Sequence, residues 1–274
     1  MTTNTSSKLQ KINKPASGTG EWAAHNVNIQ TGCEHDCKFC YGKCMAIRFG
    51  RSSPKSWAEP IINKNAVDKN YRKKNGTTMF PTTHDITEDN LDSCLVVLNK
   101  MLLAGNNLLI VSKPHKAVIR KLCKNLEAFK KQILFRFTVS SSSNKTLSYW
   151  ESGAPTFKER LAALEIAHKA GFKTSLSCEP LLDLDPEPII TATRKLVTDS
   201  IWLGRVNRLR QTIAINCPGD SEARKQTDLL LEAQSDVWVR DLYARYKNDH
   251  VIKWKDSIKK IVGLERPVER GLDI

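Results

Sequence analysis

The stretch Val27-Asn-Ile-Gln-Thr-Gly-Cys33-Glu-His-Asp-Cys37-Lys-Phe-Cys40-Tyr41 decides how the rest of the chain is read. Its first half alternates apolar and polar residues, which predicts a short strand, Val27 to Gly32, and the glycine permits a tight turn out of it. Its second half sets three cysteines at spacings of four and three residues. Three thiolates so close together can surround one small object, and a 4Fe-4S cubane is the best fit. A cubane normally takes four thiolates, so a triad leaves one iron free for something that is not protein. Zinc is the alternative, because Cys44 follows and the gaps among Cys33, Cys37, Cys40 and Cys44 suit a tetrahedral ion. A small buried Cys44 on the helix after the loop would leave the triad to itself. His35 and Asp36, between the cysteines, read as loop or capping residues.

Upstream of this stretch, Met1 to Gly20 is rich in Ser, Thr, Asn, Lys and Gly and has no apolar segment. It reads as a flexible arm and not as a secretory signal. The 274 residues, 40% of them apolar, suffice for one large domain or a domain with an appendage. No run approaches the roughly eighteen apolar residues that cross a bilayer, so no membrane partner is expected. Eight cysteines, three of them clustered, do not form a disulfide framework and suit a reducing, cytoplasmic setting. Lys and Arg number 43 against 29 Asp and Glu, a net charge of +14. Such an excess suits a surface that neutralises phosphates and releases their counterions, so nucleic acid is the expected partner, DNA before RNA. The strip 48–74 interleaves Arg48, Arg51, Lys55, Lys64, Lys69, Arg72, Lys73 and Lys74 with Trp57 and Tyr71. It reads either as a surface that tracks phosphates and stacks bases or as a solvated connection.

Downstream, strands and helices alternate. Thr77 to Thr83 is a second strand, and Glu88 to Ala104 a helix with Leu91, Leu95, Leu98 and Leu102 on one face. Leu108 to Ser112 is a continuously apolar third strand, as expected where both faces are covered. His115 to Lys131 is a helix with Val118, Leu122, Leu126 and Phe129 as its stripe. Ile133 to Ser140 is a fourth strand. Thr156 to Gly171 is a helix opened by a capping box between Thr156 and Glu159. Lys173 to Cys178 and Ser200 to Leu203 are strands five and six. Long crossovers between them predict a parallel sheet wound one way, an α/β fold best described as a partial (β/α)6 TIM-type barrel. Function in such barrels sits at the C-terminal strand ends. That rule selects Cys33, Thr82 to Asp85, Ser112, Lys113, Ser140 to Ser142, Cys178, Glu179 and Arg205 to Asn207. Beyond Leu209 two helices, Asp220 to Ser235 and Val237 to Tyr246, precede Val251 to Trp254 and a basic helix, Asp256 to Val262. The expected organisation is an arm, residues 1–20, a barrel core, 21–208, and a C-terminal helical extension, 209–274, packed on the barrel's open side or mouth.

The cysteine run, with an aromatic on each side of Cys40, resembles the signature of the radical S-adenosylmethionine superfamily. Within it the chain is similar to the spore photoproduct lyase branch from about Gly20 to Asn207. The similarity is carried by Asn28 to Cys33, Cys40-Tyr41, Thr82-Thr-His-Asp85, Ser112-Lys113, Phe137-Thr-Val-Ser140, Ala154-Pro155 and Glu159-Arg160-Leu161. The resemblance implies the partial barrel, a 4Fe-4S cluster on Cys33, Cys37 and Cys40, and S-adenosyl-L-methionine chelated by the free iron. It implies cleavage of that cofactor to a 5'-deoxyadenosyl radical, with an electron donor such as flavodoxin or ferredoxin. It places Lys113 on the cofactor carboxylate and Ser140 on its polar groups. His84, Asp85, Glu179 and Asn207, at neighbouring strand ends, complete the expected cofactor-binding set. The lyase uses tyrosines flanking the third cluster cysteine; here Tyr41 remains but position 39 is Phe. The lyase's hydrogen-donating cysteine at the end of strand two corresponds to Thr82, whose O–H bond is too strong for that role. Cys178 is then the candidate donor. The expected reaction is therefore a modification or rearrangement of a nucleobase and not dimer repair. The same chemistry on a peptide or metabolite, and a zinc-bearing nucleic-acid-binding module without catalysis, are the alternatives.

Overall fold

The computed structural model describes residues 15–272; the first fourteen positions of the expected arm, residues 1–14, lie outside them. Nine strands are present among the described residues: β1 His25–Asn26, β2 Gln30–Thr31, β3 Ile61–Ile62, β4 Thr77–Phe80, β5 Asn107–Ser112, β6 Ile133–Thr138, β7 Lys173–Cys178, β8 Ile201–Leu203 and β9 Ile252–Trp254. Seven form one sheet in the order β1-β4-β5-β6-β7-β8-β9, parallel at every pairing. The sheet is an open, partial barrel, with helices along its outer face. No described helix is long and apolar enough to cross a membrane.

Sequence and geometry agree most closely in the central units. In the helix Leu91–Leu103 the residues Leu91, Cys94, Val97, Leu98, Met101 and Leu102 are buried, the three- and four-residue recurrence of one helical face. Phe80, Leu108, Ile110, Phe135, Phe137, Leu176 and Leu203 meet such faces in the main core. The alternate residues Met79, Leu109 and Trp202 turn into the barrel and pack there with Trp22. The helix Phe157–Lys169 starts as expected, with the Thr156 hydroxyl accepting from the Glu159 N–H at 3.3 Å. The reciprocal half of the box is not formed, because the Glu159 carboxylate accepts from the Lys116 N–H of a neighbouring helix at 3.3 Å.

Three expectations change. The predicted first strand, Val27 to Gly32, does not form as one: Asn28 spends its side chain on Thr82 and Thr83, and the pairing with the large sheet is made just before it, by His25–Asn26. Gln30–Thr31 turns aside to pair antiparallel with Ile61–Ile62. The second strand stops at Phe80 because Pro81 has no N–H to continue a ladder. The sheet also has a seventh strand, since Ile252–Trp254 pairs with β8 and does not lie across the open side. The described part of the terminal arm is tied to the other end of the chain, with Ala16 N–H on Pro267 O and Gly271 N–H on Gly20 O, each at 2.8 Å.

Candidate cluster and cofactor site

Cys33, Cys37 and Cys40 lie in the loop between β2 and the helix Tyr41–Arg48. Three separate segments fix this loop. The Cys33 N–H donates to Trp57 O at 2.9 Å, and the Lys38 N–H to Trp150 O at 2.9 Å. The Gly153 N–H donates to His35 O at 3.1 Å, and Asn216 Nδ2 to the carbonyls of Lys38 and Cys40 at 2.8 and 2.9 Å. Gly153 has to be glycine, because a Cβ there would stand 2.4 Å from Glu34 O. Trp57, expected as a possible stacking platform, is 1% exposed and packs with Cys33 and Ala46. Tyr71 is likewise engaged, its hydroxyl donating to Ala66 O at 2.7 Å. The strip 48–74 therefore gives Trp57 and Tyr71 to packing and keeps its basic side chains outside.

Asp85, just past β4, is the hub of the site. Its Oδ1 accepts the Lys113 backbone N–H at 2.7 Å and the Ser112 hydroxyl at 3.1 Å. Its Oδ2 meets His35 Nδ1 at 2.8 Å and Lys113 Nζ at 3.4 Å, and lies 4.0 Å from Cys33 Sγ. Burial opposes charge on Asp85, but Lys113 and His35 outweigh it and hold the carboxyl well below its usual range. Burial likewise opposes charge on Lys113, and Asp85 outweighs it, so the ammonium is held well above its usual range. The two ions thus stabilise each other beside the cysteines. Burial pushes the Cys33 thiol up to about 12, with the neighbouring Asp85 adding to the effect, and raises Cys37 and Cys40 too. Such thiols become thiolates when a cationic group binds them.

The donor set suits a cluster better than a single ion. Cys33, His35 and Asp85 have ligand atoms within 4.8 Å of one another, but the three cysteines make no such group among the described residues. A tetrahedral ion with metal–sulfur bonds of about 2.3 Å requires that closeness, whereas a cubane carries its ligands farther apart. Cys44 is buried on the helix that follows the loop, its N–H bonded to Cys40 O. Cys40 itself caps that helix, its sulfur accepting from the Lys43 N–H at 3.3 Å.

The other expected site residues are placed as follows. Ser140 is fully buried and donates to Glu151, which in turn pairs with the buried Arg160. Tyr41, the first residue of its helix, is 62% exposed beside Cys40. Asn207 is exposed in the loop after β8. Three further residues have side chains engaged elsewhere than with the Asp85 carboxylate and the Lys113 ammonium. His84 spans backbone groups, with Nδ1 on Asp85 O at 3.0 Å and Nε2 accepting the Ile29 N–H at 3.3 Å; burial lowers its pKa to about 4. It therefore holds two strand ends together as a neutral ring. Cys178 lies in the core between sheet and helices, with its thiol pushed up to about 12 by burial. The barrel-facing side of β7 carries Ser175, which bonds Arg136. Glu179 pairs with Lys255 at 3.3 Å. His35 and His115 were not expected in the site, yet His35 is fully buried and joins His115 through Nε2–Nε2 at 2.7 Å. The sequence signal was their position, His35 between two cysteines and His115 two residues past Lys113.

No protein-family model matches the chain. An uncharacterized protein of Acidianus two-tailed virus is 27% identical over 172 residues, a match that spans 58% of this chain and 56% of that relative. Among solved structures, a variant of spore photoproduct lyase superposes with a TM-score of 0.53 at 15% identity, covering 89% of this chain and 79% of the other. A second variant of that lyase, with bound AdoMet and dinucleoside spore photoproduct, gives a TM-score of 0.53 at 14% identity over the same shares. The chain shares its fold with spore photoproduct lyase, the branch that its cysteine run and strand-end residues resemble.

Proposed function

We propose that this protein is a radical S-adenosylmethionine enzyme acting on a nucleic-acid base, with Cys33, Cys37 and Cys40 holding a 4Fe-4S cluster. The observation that carries the reading is the meeting of Cys33, in the loop after β2, with Asp85 and Lys113 at C-terminal strand ends of a parallel, partial barrel. When bound, the cluster and S-adenosylmethionine supply a one-electron cleavage whose product radical abstracts a hydrogen atom from substrate, the electron coming from a donor such as flavodoxin or ferredoxin. The protein's part is to bind, orient and exclude water. The Lys113 ammonium, kept charged by Asp85, is placed to neutralise the cofactor carboxylate. At 3.4 Å its contact with Asp85 is longer than a direct charged hydrogen bond of about 2.8 Å, and an ammonium has further protons for a second acceptor. Asp85 is held by Ser112, His35 and the Lys113 backbone, so the carboxylate keeps one orientation.

DNA as substrate is supported by the net charge of +14 and by the dinucleoside held in a structure of the same fold. A base within a duplex cannot reach a buried site, so the target is flipped out or single-stranded. The Thr82 hydroxyl accepts from Asn28 Nδ2 at 2.8 Å and carries no thiol, which argues for base modification or rearrangement and against thiol-assisted repair. Anaerobic reconstitution tests the reading. The wild-type protein should take up iron and sulfide and form 5'-deoxyadenosine with dithionite and S-adenosylmethionine. Cys37→Ala should keep the fold and lose both. Deoxyadenosine formation by Cys37→Ala would refute the cluster assignment.

A further inference from the structure

The barrel end opposite the cysteines holds a cavity of about 540 Å³. Its wall includes Thr77, Asn107 and Lys173, the first residues of β4, β5 and β7, so it opens at the N-terminal strand ends. Asp85 and Lys113 follow the opposite ends of β4 and β5. The six residues of β5 alone separate the two places by roughly 16 Å.

The wall is strongly cationic. Lys131, Arg136, Lys173 and Lys253 face the cavity with Asp199 as the carboxylate. Arg136 takes up Asp199 at 3.3 Å. No carboxylate of a described residue pairs with Lys131, Lys173 or Lys253. Trp22, 8% exposed, lines the same space with a buried indole N–H that has no partner among the described residues. The contrast with Trp202 is informative, since its indole N–H donates to Ser200 Oγ at 2.8 Å. A buried donor is rarely left unpaired, so an unpaired one beside cationic side chains asks for an acceptor from outside the described residues. Leu109 and Leu134 supply an apolar wall, and Arg136 lies over the rings of Trp22 and Trp202 at 4.5 and 5.2 Å. The volume is in the range of small-molecule sites and exceeds what a lone inorganic ion fills.

We propose that this cavity is a second binding site, for a small phosphorylated molecule, separate from the cluster end of the barrel. The phosphate lies among Lys131, Lys173 and Lys253 and accepts from the Trp22 indole, while the rest of the ligand lies against Leu109 and Leu134. The proposal does not depend on the radical reading.

Calorimetry of the full chain with inorganic phosphate, diphosphate and AMP tests it, with intrinsic tryptophan fluorescence as a second readout. Saturable binding is expected, tighter for AMP than for phosphate. Lys173→Ala and Lys253→Ala should each weaken AMP about tenfold, the loss expected for one charged hydrogen bond. Both side chains reach the surface, so unchanged melting of these variants checks the fold. Trp22→Phe keeps the ring, removes the N–H and should weaken binding severalfold; if it fails to fold, the lysine variants decide. Lys113→Ala, at the other end, should leave AMP affinity unchanged. No saturable binding at millimolar ligand would overturn the proposal. So would AMP binding that survives loss of both lysines or disappears with Lys113→Ala, which would put the ligand at the cluster end.

Discussion

Arg160→Leu should destabilise the protein severely, and the reason lies in the bracket behind the cysteine loop. Arg160 and Glu151 both have fully buried side chains and pair with each other. Arg160 also donates to Pro155 O at 2.9 Å and Thr138 O at 3.3 Å. Removing the guanidinium leaves a carboxylate and two carbonyls without their donor in a site that water does not reach. Breaking a buried pair on one side costs about 3–5 kcal/mol. In a chain of this size that lowers Tm by roughly 10 °C. Glu151→Gln added to Arg160→Leu removes the orphaned charge while keeping an acceptor for Ser140, and should recover much of the loss. The effect should extend to metal loading, because residues 150–153 hold the cysteine loop through Trp150 O and Gly153 N. Urea unfolding of the wild type, both single variants and the double variant gives the coupling directly, with iron content measured on the same preparations. A single variant within about 1 kcal/mol of wild type, or a double variant no more stable than Arg160→Leu, would refute the argument.

Lys113→Ala should weaken S-adenosylmethionine binding while iron content stays unchanged, since a charge partner is lost and not a ligand; equilibrium binding to the reconstituted protein checks it, and unchanged affinity would detach Lys113 from the cofactor. Glu21 is pushed up to about 7 from 4.5, first by burial, with Lys255 opposing the shift and Glu179 adding to it. The folded state thus holds this proton more tightly than the unfolded state, so its stabilisation is complete below pH 4.5 and is lost as the pH rises through about 7. The Tm of the wild type should therefore fall relative to that of Glu21→Gln across this window, and parallel profiles would show that Glu21 is not responsible. If the basic surface binds nucleic acid, affinity for single-stranded DNA should fall with salt at a log-log slope of roughly 0.7 per phosphate contact, a slope that Arg51, Lys55, Arg72 and Lys73 changed to Glu should flatten.

The central units were readable from sequence because their signals are local. An apolar run such as Leu108 to Ile110, and a periodic face such as Leu91 to Leu102, each carry their own period. The cysteine run carries its chemistry in its spacing. The rest depends on partners distant in sequence. Asn28 is drawn out of the expected first strand by bonds to Thr82 and Thr83, more than fifty residues away. Trp57 looks like an exposed aromatic among lysines until Cys33 and Ala46 close over it. Glu159 has the spacing of a capping box, but Lys116 offers its carboxylate a competing donor. Ile252–Trp254 is too short to announce itself as a strand and gains that status from the neighbouring β8. His35 and His115 are eighty residues apart, so nothing in the local pattern of either foretells their 2.7 Å contact.

Glu179 shows how a strand-end position can be structural in a barrel that does not close on itself. A partial barrel has two edge strands, here β1 and β9, with backbone groups that need covering. The helix Thr19–Trp22 and the segment after Lys255 supply the cover, joined by Gly271 N–H on Gly20 O and Asp256 N–H on Glu21 Oε2 at 3.0 Å. Lys255 is fully buried where these pieces meet, 2.9 Å from Glu21, 3.3 Å from Glu179 and 3.6 Å over the Trp22 ring. A buried ammonium is costly unless it is paired and hydrogen-bonded. Both carboxylates and the Gly18 carbonyl, at 3.2 Å, meet that need. Gly204 lets the side chain pass, since a Cβ there would stand 2.9 Å from Lys255 Cγ. Glu179 is thus committed, through Lys255, to the seam between these two pieces of the chain.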